Sequence, residues 1–433
     1  MTTIDLSTYD PMNREIQQCP FPHYAALREH GPLFRHEPTG MYFVSRLETM
    51  RVVLRDTETF SSKSSNAGTA PPPELMAELV ALSRQGVPRV DTMLTLDPPA
   101  HTRYRKTVAG AFNVRRIQGL APRIRELADE LINAFPNHGN VDFMNAFAIP
   151  LPVRVISHML NVPAEREADI KRWSDDAVAS LGTRLTPERV VEAARGVLES
   201  QLFFIAQFAD RRQNPQDDFT SDLVNATFED ADGTTRNLTD AEMFSIVQQL
   251  MVAGNETTTK LFSEGMKLLL ENAQWWQRIV SEPALIPSVI EEVLRMASPN
   301  QGLFRVVTRD TELEGVPLKK GARLWVMFGA ANRDERTFAE AETFNPERDN
   351  LSQHIAFGFG AHFCIGAPLS RLEARIGFEA LSERLAHVEF APGNTFEYEP
   401  SYILRGLKNL DLIVQRPAAE LVEPGSAAPS ATQ

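Results

Sequence analysis

The stretch from Thr239 to Glu271 places the tightest limit on how this chain folds. Within it Met243, Ile246, Leu250, Ala253, Thr257 and Leu261 recur at helical spacing. Thr239 followed by Glu242 forms a capping box, because each side chain satisfies a free amide of the first turn. A helix of about thirty residues reaches roughly 45 Å, enough to cross a whole domain. Along the stripe the residues shrink at Ala253 and Gly254, then turn polar at Glu256 and Thr257. A glycine inside a helix costs about 1 kcal/mol relative to alanine, which raises the question of what needs space at that face.

Helical periodicity dominates elsewhere, as in "RIRELADELINAF", "LPVRVISHML", "IPSVIEEVLRMA" and "LSRLEARIGFEALSERLA". Short extended segments, rich in β-branched or aromatic residues beside turn chemistry, appear at "GMYFVSR", "LFRVVTR", "ARLWVMFGA" and "HVEFAP". The expected fold is mainly α with small β-sheets. No interdomain linker stands out, so residues 1–420 read as one domain, and the small, polar end of the chain (421–433) as a disordered tail.

Lys and Arg total 44 against 57 Asp and Glu, a net charge of -13 that argues against general binding to nucleic acid or an anionic membrane. No apolar run approaches the ~20 residues that span a bilayer, and the N-terminus lacks the basic start and apolar centre of a signal peptide. The two cysteines, Cys19 and Cys364, are too few for a disulfide framework. A reducing, cytoplasmic setting is expected, with Cys19 a buried apolar thiol.

Cys364 stands in "FGFGAHFCIG", among Gly358, Gly360 and Gly366, which permit unusual dihedrals and close backbone approach. A helix begins just after it, so free amides and the positive helix end favour a thiolate there. With no C-x-x-C or histidine-rich partner motif, zinc is disfavoured. A planar macrocycle supplies four ligands itself and asks the protein for one, which a haem iron held by a cysteine thiolate satisfies. The plainer alternative is a buried cysteine in an irregular turn.

The wider pattern of Phe357, Gly358, Gly360, His362, Cys364 and Gly366 resembles the haem-binding loop of the cytochrome P450 family, with histidine where the family more often carries arginine. "MVAGNETTT" on the long helix is similar to the family's oxygen-activation motif. By that resemblance Glu256 is the acid and Thr257 the alcohol of proton delivery, and small Ala253 and Gly254 let dioxygen and substrate approach the iron. Taken alone, Thr257 would return a hydrogen bond one turn back and Glu256 would be a solvated acid. Glu292 and Arg295 resemble the family's E-x-x-R pair, joined by Arg348 of "FNPERD" in a structural role.

The resemblance implies haem b (iron protoporphyrin IX), its propionates met by His101, Arg105, Arg305 and His362. "DPPAHTRYR" sets His101 and Arg105 on one helix face. A charge in so apolar a stretch as "LFRVV" is costly without an anionic partner. Candidate pocket residues by analogy are Val90, Met93, Leu94, Ile246, Leu250, Ala253, Leu303, Phe304, Ile403 and Leu404. Their polarity points to a lipophilic substrate, such as a steroid, terpenoid, fatty acyl or aromatic compound.

The implied activity is monooxygenation, usually hydroxylation, with dioxygen. No flavin or iron–sulfur signature is present, so a separate ferredoxin or flavodoxin with its reductase supplies electrons. A basic patch of Arg103, Arg105, Lys106, Arg115, Arg116, Arg371 and Arg375 would dock that acidic carrier. Alternatives at this level are a peroxide-driven peroxygenase, a haem sensor or carrier without turnover, and a haem-free helical interaction protein.

Overall fold

A computed structural model describes residues 4–63 and 72–417; the 421–433 tail, and with it the expectation of disorder there, lies outside the described residues. Eight helices carry the argument. They are α1 (Ala100–Ala111), α2 (Ala121–Asn133), α3 (Pro150–Met159), α4 (Glu167–Val178), α5 (Pro187–Gln213), α6 (Asp240–Glu271), α7 (Ile286–Ala297) and α8 (Ala367–Arg384).

Helix α6 is the expected long helix. Its cap closes from both sides: the Thr239 hydroxyl accepts from the Glu242 amide at 3.3 Å, and the Glu242 carboxylate from the Thr239 amide at 2.8 Å. Buried residues occur on nearly every face, from Met243 to Leu269, which is the pattern of a helix enclosed by others. It contacts α3, α4, α7 and α8.

The crossing of α6 with α8 rests on two glycines. A Cβ on Gly377 of α8 would lie 2.5 Å from the Phe262 ring of α6, and one on Gly265 of α6 would lie 2.7 Å from the Phe378 ring of α8. Each helix thus seats a phenylalanine in the other's gap, which draws the backbones together at ordinary packing density.

The main sheet has strand order β1-β2-β6-β5-β3, built from β1 (Leu33–His36), β2 (Met41–Val44), β3 (Phe60–Ser61), β5 (Leu303–Val307) and β6 (Arg323–Val326). A second sheet joins β4 (His138–Asp142), β7 (His387–Phe390) and β8 (Asp411–Gln415), with β8 central. All four extended segments read from the sequence are strands. In β5, Phe304 pairs with Trp325 and Arg305 with Leu324, so Phe304 packs into the sheet core and Arg305 points from the opposite face.

The E-x-x-R pair is buried outright. Arg295 donates to both Glu292 oxygens at 2.7 and 2.8 Å, and Arg348 adds a third bond at 3.1 Å. Arg295 also donates to the Asn332 carbonyl at 2.8 Å, while the Asn332 side chain accepts from the Ile355 amide at 2.7 Å. That relay fixes the chain two residues before Phe357, where the cysteine loop starts. Such a pair is retained here with every charged group hydrogen-bonded, the condition under which burial is tolerated.

Candidate active site

The cysteine loop is shaped by backbone bonds. The Gly358 amide donates to the Ile355 carbonyl at 2.8 Å, the Phe363 amide to Gly360 at 3.1 Å and the Cys364 amide to Phe357 at 2.9 Å. Gly358 and Gly360 take φ of 72° and 70°, and a Cβ on Gly360 would also strike the Leu54 carbonyl at 2.8 Å. Cys364 therefore sits at the end of a tight turn, at the start of α8. Burial pushes its thiol up, while the amides of Gly366 and Ala367 and the charge of Arg105 pull it back. A sulfur so enclosed becomes a thiolate when a cation binds it, as a metal does.

Beside the loop lies a cluster of nitrogen side chains without a matching set of carboxylates. The His101 and His362 rings are 4.3 Å apart, and His362 meets the Ser62 hydroxyl at 3.1 Å. Burial first, then the charges of Arg305, His101 and Arg105, press His362 down to about 3. Arg305 falls to about 10 through burial, with Asp97 the charge opposing that fall. His101 Nδ1 and Arg305 Nε are buried with no hydrogen-bond partner. Arg305 Nε is a donor awaiting an acceptor, and His101 Nδ1 is a second in the tautomer that carries its proton there, the counterpart of a dianionic ligand. The single thiol and this cluster together fit a haem: one axial ligand and a seat for two propionates.

On α6, Ala253 is exposed although the helix is otherwise enclosed. Gly254 faces the other way, where a Cβ would come within 3.4 Å of Ile156 on α3. Thr257 donates its hydroxyl to the Ala253 carbonyl at 2.8 Å. Glu256 is buried, not solvated, and two lysines hold it. Lys260 donates to it at 2.7 Å from the next turn, and Lys171 of α4 at 3.3 Å. Burial alone would raise this carboxyl, but Lys260 and then Lys171 outweigh it and keep Glu256 well below the usual range. Lys171 also pairs with Asp175. Burial, with the charge of Glu256 as a further raising influence, lifts Asp175 to about 6 against the pull of Lys171.

Comparison with known proteins agrees with this geometry. The family profile described as Cytochrome P450 matches residues 186–395. A putative cytochrome P450, YjiB of Bacillus subtilis, is 33% identical over 399 residues, covering 92% of this chain and 95% of its own. The chain belongs to the cytochrome P450 family. The steroid C26-monooxygenase of Mycobacterium tuberculosis is likewise 33% identical, over 90% of this chain and 92% of that enzyme. The solved structure of cytochrome P450 CYP109Q5 from Chondromyces apiculatus superposes with a TM-score of 0.82 at 31% identity, covering 96% of this chain and all of that one (100%).

As a P450 the protein is an enzyme of the monooxygenase class, whose cofactor is a haem iron. Among the described residues, no helix is long and apolar enough to cross a membrane. His101, Arg105 and Arg305 lie within electrostatic reach of His362, and Arg105 also of Cys364. The pocket candidates scatter. Ile246 and Ile403 are wholly buried, Met93, Leu250, Phe304 and Leu404 nearly so, Val90 and Leu303 are half-buried, and Leu94 is exposed. Cys19 is exposed at the end of the short helix Arg14–Gln18, which corrects the expectation of a buried thiol.

The docking patch is partly neutralised. Arg371 makes a two-pronged pair with Glu291 at 2.6 and 2.8 Å, Arg375 pairs with Glu379, and Arg116 with Asp217 and Asp222. Lys171, Lys260, Asp175 and Ser62 were not read from the sequence. Lys260 left a signal, standing four residues after Glu256 on the same helix, and so did Lys171 and Asp175, four apart on α4.

Proposed function

We propose that this P450 is a single-domain, cytoplasmic haem-thiolate monooxygenase. It hydroxylates a lipophilic small molecule with dioxygen, using electrons from a separate ferredoxin or flavodoxin. The observation that carries the reading is the pairing of one enclosed cysteine sulfur with an unneutralised cluster of His101, Arg105, Arg305 and His362. Cys364 would hold the iron of haem b, and the cluster its propionates, through charge-assisted hydrogen bonds. When bound, the iron porphyrin supplies the reductive activation of dioxygen.

The chain's own residues handle protons and access. Ala253, small and exposed, would leave room beside a bound haem, and the Thr257 hydroxyl, fixed by its bond to the Ala253 carbonyl, keeps its oxygen lone pairs for a water. Glu256 lies one residue away, ionised and held by Lys260 and Lys171. Its carboxylate takes protons from Asp175, whose own carboxyl beside it is lifted to about 6, and hands them toward Thr257. The steroid C26-monooxygenase relative supports a lipophilic substrate. Arg103, Lys106 and Arg115 remain as the cationic contribution to carrier docking.

The test is spectroscopic and kinetic. Reduced protein under carbon monoxide should show the red-displaced Soret band of a thiolate-ligated haem, and Cys364→Ser should abolish it. Turnover with NAD(P)H and a carrier should exceed turnover with hydrogen peroxide and should need Thr257. The reverse order would make the enzyme a peroxygenase.

A further inference from the structure

Glu291 precedes the buried Glu292 on α7 and begins a second relay to the cysteine loop. One of its oxygens accepts from Arg371 Nε of α8 at 2.6 Å. The other accepts from Arg371 Nη2 at 2.8 Å and from His354 Nε2 at 2.9 Å. His354 Nδ1 accepts from the Ala356 amide at 3.2 Å, so the proton of the neutral ring lies on Nε2, facing the carboxylate.

Both partners of that carboxylate flank one ring. The Arg371 guanidinium carbon lies 4.5 Å from the centre of the Phe357 ring, and the His354 ring is 6.2 Å away from it, tilted at 45°. Phe357 is the residue whose carbonyl accepts from the Cys364 amide at 2.9 Å. The charge of Arg371 also reaches the sulfur, where with Arg105 it favours the thiolate. Arg371 therefore acts on the loop twice, through a stacked ring and through its field.

The two cations differ in one respect. Arg105 makes no ion pair among the described residues, whereas Arg371 is forked onto Glu291. The field of Arg371 at the sulfur is thus offset by an acid on another helix, and solvent screens part of it because Arg371 is partly exposed. Charges placed behind a metal ligand tune the metal as well as orient the ligand.

We infer that Arg371 and Glu291 are positioning residues that set how readily the haem iron takes up an electron, acting through Cys364: the guanidinium favours the reduced state, and the carboxylate restrains it. The inference rests on the haem-thiolate reading above and adds to it a control of electron acceptance. The step is the gain of one electron from the carrier, with no bond made or broken.

The experiment uses the haem-loaded protein. Its midpoint potential is read by dye-mediated titration, and the ferrous carbon monoxide spectrum reports ligation. Glu291→Gln keeps the shape of the acid and unmasks the cation, so the ratio of ferrous to ferric haem at a fixed potential should rise about fivefold. Arg371→Met removes the cation and leaves the acid, and should lower that ratio about fivefold. Arg371→Lys keeps the charge but gives up the fork and the stacked plane, and should stay within about twofold of the wild type. Glu291→Gln and Arg371→Met break the same pair, so a merely structural clamp would move both in one direction. Opposite signs mark the charge.

Shifts of one sign, no shift in either, or an Arg371→Lys potential matching that of Arg371→Met would overturn the inference. Loss of the thiolate–carbon monoxide band in both Arg371 variants would do the same, since shape and not charge would then hold the loop. Loss in Arg371→Met alone, with a raised potential in Glu291→Gln, would support it. A missing band in the wild type would sink the haem-thiolate reading itself, whereas a normal band with shifts of like sign would sink only this inference.

Discussion

The ammonium of Lys260 donates to the Glu256 carboxylate at 2.7 Å, both groups buried, and the stem of the lysine passes over a residue with no side chain. A Cβ on Gly406 would lie 2.2 Å from Lys260 Cγ. The proposed proton acid therefore has a cation fixed on its own helix, independent of the second one on α4.

Lys260→Met leaves a buried carboxylate with only Lys171 facing it. Removing one partner of a buried pair costs about 3–5 kcal/mol, and the remaining lysine should keep the loss near the lower end. The double variant Lys260→Met/Glu256→Gln should recover at least half of it. Equilibrium urea unfolding checks this, and equal stabilities of the single and double variants would show that the pair contributes nothing. Product formed per NAD(P)H consumed should also fall in Lys260→Met.

A pH dependence follows from Glu291, which accepts from Arg371 and from His354 at 2.9 Å. Burial opposes its ionisation, but Arg371 and then His354 win and hold it down to about 2. A folded-state value below the unfolded one gives stability that is present above about pH 4.5 and drains as pH falls toward the folded value. The wild type should thus exceed Glu291→Gln by on the order of 3 kcal/mol at pH 7. The gap should shrink steadily between pH 4.5 and 2.5. A constant difference across that window, by thermal unfolding, would contradict the assignment.

Gly377→Ala inserts a methyl where the Phe262 ring already lies 2.5 Å away. Ring and backbone must part, and overpacking of this kind costs about 1–3 kcal/mol. Gly315→Ala makes a comparison, since nothing lies within 4 Å of a Cβ there but φ is +79°. It should destabilise through backbone strain alone and leave haem binding unchanged, whereas Gly377→Ala should also loosen the α6–α8 crossing and weaken haem retention.

Arg305→Leu separates the cation's two states. Without haem, Arg305 is a buried charge with an unpartnered Nε, so the apoprotein should be as stable or more so after substitution. With haem, a charge-assisted bond is lost, and transfer of haem to apomyoglobin should quicken about tenfold. Slower or unchanged transfer would remove Arg305 from the propionate set.

What the sequence disclosed follows sequence distance. Thr239 and Glu242 lie three apart, as do Glu292 and Arg295, and each pair has the geometry expected for one turn of helix. The cysteine loop was legible because its glycines and its cysteine are contiguous. Glu256 alone has the sequence surroundings of a solvated acid, because its second partner, Lys171, is 85 residues away on another helix. The Glu291–Arg371 pair spans 80 residues and left no local mark. Ile246 and Leu250 matched the apolar stripe of α6, yet an apolar stripe marks whatever is buried and does not tell core from pocket. Cys19 ends a helix of five residues, too short to impose a pattern.

Strand β5 speaks in two directions at once, Phe304 toward Trp325 and Arg305 away from it. Because consecutive residues alternate sides, a slip of one position in its pairing with β6 exchanges them. An aromatic ring would then meet the carboxylates of the cofactor, and a guanidinium would be thrust among tryptophan and tyrosine. Misthreading of this sheet cannot produce a slightly weaker holoenzyme. It yields a protein unable to accept haem, so loading with the prosthetic group doubles as an inspection of how the strands were joined.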